Sequence, residues 1–153
     1  MSLHSQNDKE SISVLLVDDS EDDRLFLRRA LRRNSAFRLV GELCDGDAAM
    51  SWLAGEGKYG DRQRFPFPQL LLLDLKLPKK TGYEVLEWLQ DRGRDGLYVV
   101  VLSGSSLPQD IKRCEELGAD GHFKKEALEE EQLAMVAGLE KLVRIKFSQP
   151  VQA

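Results

Sequence analysis

From Ile12 onward, short aliphatic runs alternate with stretches of helical periodicity, and this alternation limits the possible folds more than any other feature. Ile12–Val17 (ISVLLV) reads as a buried strand closed by acids. Ser20–Arg33 reads as a helix. Ser20 is its cap, Glu21, Asp22 and Asp23 suit its positive end, and Phe26, Leu27, Ala30 and Leu31 form its apolar face. Phe37–Leu43 follows as a strand and Asp45–Leu53 as a helix with Ala48, Ala49, Trp52 and Leu53 inward. Gly55–Gln69 is rich in Gly and Pro and reads as irregular. The four leucines Leu70–Leu73 are too few for a helix and are bracketed by Pro68 and Pro78, so they read as a third strand ending at Asp74. Thr81 and Glu84 have capping-box spacing and open a helix with Val85, Leu86 and Leu89 inside. Leu97–Leu102 is the clearest buried strand, Pro108 opens a helix striped by Ile111, Cys114 and Leu117, and Gly121–Lys124 is a fifth strand. The closing helix, about Glu126–Phe147, carries Met135, Val136, Leu139, Leu142, Val143 and Phe147 along one side.

Five βα units without an internal boundary predict an α/β fold, a flavodoxin-like doubly wound parallel sheet in strand order 2-1-3-4-5. One domain over 12–147 accounts for the pattern; 1–11 is expected to be a disordered N-terminal extension or leader and 148–153 a flexible tail. A chain of 153 residues suits one compact domain, and 42% hydrophobic with 31% charged residues argues for a globular protein. The longest apolar run is far too short to cross a bilayer and no signal segment opens the chain, so the expectation is a cytoplasmic protein with no membrane contact. The net charge of −4 and the lack of a basic run argue against a nucleic-acid partner. Cys44 and Cys114 form no ligand cluster, which argues against zinc, haem or a disulfide framework.

In an open parallel sheet the ligand crevice lies beyond the carboxyl ends of the strands. There the sequence places Asp18 and Asp19 after the first strand, Asp74 after the third, Ser103 after the fourth, and Lys124 and Lys125 after the fifth. Singly, each has an ordinary structural reading as a turn former, a cap or a solvated lysine. Together they need an explanation, because three neighbouring carboxylates repel unless a positive charge sits between them. All-oxygen donors favour Mg²⁺, which readily shares its shell with phosphate. A carboxylate beside Mg²⁺, opposite a hydroxyl and an ammonium, suits phosphoryl transfer, with Asp74 as the nucleophile that forms an aspartyl phosphate.

These residues resemble the receiver domains of bacterial two-component response regulators. The resemblance rests on Val17-Asp18-Asp19, Leu73-Asp74-Leu75-Lys76-Leu77-Pro78 followed by Gly82, Val101-Leu102-Ser103-Gly104, and Gly118-Ala119-Asp120-Gly121 leading to Lys125. It implies that Asp74 is the phosphoacceptor and that Asp18, Asp19, Asp74 and the Lys76 backbone carbonyl hold Mg²⁺. It further implies that Ser103 is the switch hydroxyl and that Lys125, rather than Lys124, fills the lysine slot. Three positions depart from the family pattern. His122 stands where a switch Tyr or Phe is usual, Glu126 where a proline follows the lysine, and Ser103 where threonine is commoner. Lys76 and Ser105 lie two residues beyond Asp74 and Ser103, positions that in this family tune acyl-phosphate lifetime. The expectation for Lys76 is an ammonium that hinders in-line water.

The resemblance implies a phosphoaccepting signalling domain rather than an enzyme, limited to self-catalysed phosphoryl transfer and slow autodephosphorylation. Its donor would be a histidine kinase or a phosphotransfer protein. With no residues left for an output domain, the expectation is a single-domain regulator that acts on a downstream protein. The fourth helix, fifth strand and fifth helix would form its signalling face, and a homodimer would use the same face. The segment Leu77-Pro78-Lys79-Lys80…Gly82-Tyr83-Glu84-Val85-Leu86 looks like the single-domain regulators paired with phytochrome-type kinases. The alternative is a constitutive scaffold domain with a vestigial site. Competing motifs lack their context. The G-x-G-x-x-G match at Gly55–Gly60 follows a helix rather than a strand, Lys76 breaks the D-x-D of haloacid-dehalogenase-type phosphohydrolases, and Ser105 lacks the full G-x-S-x-G elbow.

Overall fold

The computed structural model describes residues 11–104 and 107–148, so residues 1–10 and 149–153 and the positions Ser105 and Ser106 lie outside the described residues. Five parallel strands form one sheet: β1 (Ile12–Val17), β2 (Phe37–Leu43), β3 (Leu70–Asp74), β4 (Tyr98–Ser103) and β5 (Gly121–Lys124), ordered β2-β1-β3-β4-β5. The connecting helices are α1 (Glu21–Arg32), α2 (Gly46–Ala54), α3 (Gly82–Arg92), α4 (Pro108–Glu116) and α5 (Glu129–Ser148).

Alternation along the central strands divides the core in two. Leu70 and Leu72 join Val14, Leu16, Val100 and Leu102 against α1 and α5; Leu71 and Leu73 join Leu15, Val17, Val99 and Val101 against α2, α3 and α4. Each of the four leucines is fully buried, worth about 1.5–3 kcal/mol apiece, which explains how a run of modest strand formers holds the middle of the sheet. Between Val14 and Leu15 the pairing with β2 slips by one residue. The bulge brings Gly41 under the Trp52 ring, leaving no room there for a Cβ.

The Ser20 cap and the Thr81–Glu84 capping box form as the sequence predicts, and Asp45, read as the first residue of its helix, is its cap instead. The Ser20 and Asp45 side chains accept from the backbone N–H of Asp23 and Ala48, and Thr81 with Glu84 closes a capping box. Three details differ. Phe26 is 41% exposed rather than inward, because the stripe of α1 centres on Leu27, Ala30 and Leu31 and leaves Phe26 at the rim of the crevice between α1 and α5. Phe147 is also exposed, resting at the protein's edge beside the Tyr98 ring. Helix α5 begins at Glu129 rather than Glu126, where Glu129, Glu130 and Glu131 meet the helix dipole; the buried Gln132 amide donates to the Glu126 carbonyl and holds the intervening loop. The stretch Gly55–Gln69 is irregular as the sequence predicts, yet it is packed and hydrogen-bonded. It contains a 3₁₀ turn at Gly57–Gly60 and packs Tyr59 and Phe65 on Trp52, while Arg62 donates to the Trp52 and Leu53 carbonyls at the end of α2 and to the Phe65 carbonyl in the loop itself.

Candidate functional site

The chain leaves β1 toward β2 on one side and β3 toward β4 on the other, so a crevice opens over the carboxyl ends of β1 and β3. Asp18, directly after β1, and Asp74, the last residue of β3, face it and are buried, whereas Asp19 is exposed. Every polar atom of Asp18 is engaged. Its N–H donates to the Leu43 carbonyl at 3.0 Å, its carbonyl accepts from Arg24 at 2.6 Å, Oδ1 accepts from the Ser20 N–H at 2.9 Å, and Oδ2 lies 2.6 Å from Lys125 Nζ. Arg24 in turn pairs with Glu42, which also pairs with Arg28.

Asp74 Oδ1 accepts from the Lys76 N–H at 3.3 Å, and Oδ2 lies 3.1 Å from Lys125 Nζ. Glycine is needed beside it: a Cβ on Gly82 would overlap the Asp74 carbonyl oxygen and lie 2.7 Å from Leu75 Cα. Likewise a Cβ on Gly46 would overlap the Lys80 carbonyl, so α2 and α3 both approach the β3–α3 loop through bare backbone. Lys125 is anchored by its own N–H, which donates to the Ser103 carbonyl at 2.8 Å. Its ammonium reaches Asp18, Asp74 and also Asp23 at 3.0 Å, while Lys124 is exposed.

Burial pushes the Asp74 carboxyl above its usual range, with the Lys125 ammonium opposing and Asp18 adding to the rise. For Lys125, burial alone would lower the pKa, but its contacts with Asp18, Asp74 and Asp23 reverse this and raise it above the ordinary lysine value. The lysine is therefore a fixed cation. Carboxylate oxygens of Asp18, Asp19 and Asp74 lie within 4.8 Å of one another. Their all-oxygen character and close convergence fit a hard divalent cation whose ligands sit roughly 3–4 Å apart around an octahedron.

A family model described as the response regulator receiver domain matches residues 14–137. The chain belongs to that family. As a receiver it is a signalling domain of two-component systems. Response regulator Rcp1 of Synechocystis is 36% identical over 128 residues, spanning 83% of this chain and 85% of Rcp1. The Mn²⁺-bound form of Rcp1 superposes with a TM-score of 0.73 at 32% identity, covering 93% of this chain and 99% of that one. The phosphorylated cyanobacterial phytochrome response regulator RcpA gives 0.76 at 32% identity, with 92% and 97% covered. RPA3017, a response regulator in red light signalling of R. palustris, gives 0.78 at 26%, with 92% and 99% covered.

The receiver fold thus brings Asp18, Asp19, Asp74 and Lys125 together. Ser103 closes β4 and is buried. His122 is paired with Val101 on β4, with Asp110 and Glu115 as its charged neighbours. Among the described residues its Nε2 is buried without a hydrogen-bond partner, and burial lowers its pKa below the usual histidine value. The Lys76 side chain is exposed. Cys114 is buried and its thiol is pushed up by burial, which leaves it a core residue rather than a nucleophile. No described helix is long and apolar enough to cross a membrane.

Sequence reasoning missed Asp23 and Arg24. Asp23 read as one of three acids at a helix start, and nothing in the linear pattern marks which of the three turns toward the strand ends. Arg24 carried no signal in the linear pattern, yet it fixes the turn that presents Asp18 and Asp19.

Proposed function

We propose that this receiver is a single-domain response regulator that accepts a phosphoryl group on Asp74 from a histidine kinase or phosphotransfer protein and signals through phosphorylation-dependent protein contacts. The observation that carries this reading is the Lys125 ammonium, 3.1 Å from Asp74 Oδ2 at the mouth of a converging acid trio. Asp74 Oδ2 attacks phosphorus in line. The bond to the donor's leaving atom breaks as the new P–O bond forms, and the Lys125 ammonium and Ser103 hydroxyl bind the equatorial oxygens. Mg²⁺, held by Asp18, Asp19, Asp74 and the Lys76 carbonyl, would neutralise charge on the transferring group. Asp18 is preset for its part by the Arg24 and Ser20 hydrogen bonds.

Phosphorylation adds roughly two negative charges at Asp74 and draws Ser103 and the loop after β4 toward them. His122, beside α4, takes the place of the switch aromatic. The face made by α4, β5 and α5 then serves as the contact surface for a downstream protein or a second copy of the chain. A phytochrome-type kinase is the proposed donor, supported by the similarity to RcpA and by the Leu77–Leu86 segment. The Lys76 ammonium, two residues past Asp74, shields the acyl phosphate from water. Incubation with acetyl phosphate and Mg²⁺ should add the mass of one phosphoryl group to the parent and none to Asp74→Asn. Equal labelling of both, or of neither, overturns the reading.

A further inference from the structure

Lys125 has three carboxylate partners, and two of them also belong to the acid trio. Asp18 and Asp74 are buried and converge with Asp19 as oxygen donors, so a divalent cation and the ammonium draw on the same two side chains. Asp23 is different. It stands in the first turn of α1, outside the trio, with its side chain 43% exposed and Oδ2 at 3.0 Å from Lys125 Nζ. Its backbone N–H is held by the Ser20 side chain at 3.2 Å, which fixes the turn from which the carboxylate reaches across to the lysine.

We propose that Asp23 is a positioning residue for Lys125, keeping the ammonium docked at the rim when Asp18 and Asp74 are engaged by a divalent cation. This inference deepens the proposed function and rests on its cation site. Lysine and cation compete for the same oxygens, so a third carboxylate that binds only the lysine lowers the cost of that competition. Removing Asp23 leaves the ammonium dependent on Asp18 and Asp74 and therefore weakens cation binding. A partly exposed ion pair is worth a fraction of 1 kcal/mol to about 1 kcal/mol, which sets the expected loss at roughly two- to fivefold in affinity.

Asp22 provides the control. It lies on the same helix turn, is exposed and makes no ion pair with Lys125. The test is Mg²⁺ titration by calorimetry on the full chain, comparing the parent with Asp23→Asn, Asp23→Glu and Asp22→Asn. The parent and Asp23→Asn are repeated in a Lys125→Met background. The proposal expects weaker binding for Asp23→Asn, recovery for Asp23→Glu, little change for Asp22→Asn, and no effect of Asp23→Asn once Lys125 is gone. Equal weakening by Asp22→Asn and Asp23→Asn would show that only the charge at the helix end matters and would overturn it. So would an Asp23→Asn loss that persists without Lys125, or no loss at all. A parent that binds no Mg²⁺ removes the cation site itself, an outcome distinct from any failure confined to Asp23.

Discussion

Asp74 is a buried carboxylate whose charged form the fold disfavours, because desolvation outweighs the help of Lys125. The sign follows from linkage. A carboxyl whose pKa is raised on folding binds its proton more tightly in the native state, so stability falls as pH climbs from the unfolded value of 3.8 through the native one. At neutral pH, with chelator present, Asp74→Asn should therefore unfold at a higher urea concentration than the parent, and the gap should close near pH 3. His122 works in the opposite direction. Its pKa is lowered by burial against the pull of Asp110 and Glu115, so the unfolded chain takes up its proton first as pH drops below 6.5. The parent should lose stability across that window, and His122→Phe should lose less when both are followed by urea unfolding at stepped pH. At the exposed Lys76, replacement by alanine should shorten the lifetime of the acyl phosphate severalfold in a radiolabel decay assay. An unchanged decay would remove Lys76 from the account of signal duration.

The elements show how much of the design was legible. Strands β1, β2 and β5 fall on the residues that pattern alone assigns, and the Thr81–Glu84 capping box starts α3 where its spacing predicts. Short range chemistry fixes these features. The ordered core of Gly55–Gln69 was not legible, because glycines and prolines announce a turn but say nothing of an arginine folding back onto the carbonyls of α2. The start of α5 shifted for a related reason, since the Gln132 amide satisfies a loop carbonyl three dimensions reveal and one does not. A sharper element-level test is Gly82→Ala. The added methyl meets the Asp74 backbone, so α3 must shift away from the strand end at a cost of about 1–3 kcal/mol. Thermal unfolding should report the loss, and phosphorylation by acetyl phosphate should slow with it.

On the scale of the whole molecule, the winding 2-1-3-4-5 accounts for the convergence of residues as distant as Asp18 and Lys125. The sequence shows which residues end each strand, and the parallel topology then requires those ends to share a rim. That is why Asp18, Asp19, Asp74 and the Lys124–Lys125 pair could be named from the strand ends, with Lys125 singled out by the family resemblance, whereas Asp23 needed the helix's rotation to be known. Asp18 is tied at once to β2, to α1 and to the loop after β5 through its four polar atoms. Mutagenesis inherits a consequence: two of those four atoms are side-chain oxygens, so a change at this aspartate frees the Ser20 turn and the Lys125 ammonium along with the chemistry, and its phenotype mixes misassembly with lost reactivity. Exposed Asp19, which shares the donor set but carries none of these ties, is the better place to make a chemically silent allele of a well-folded protein.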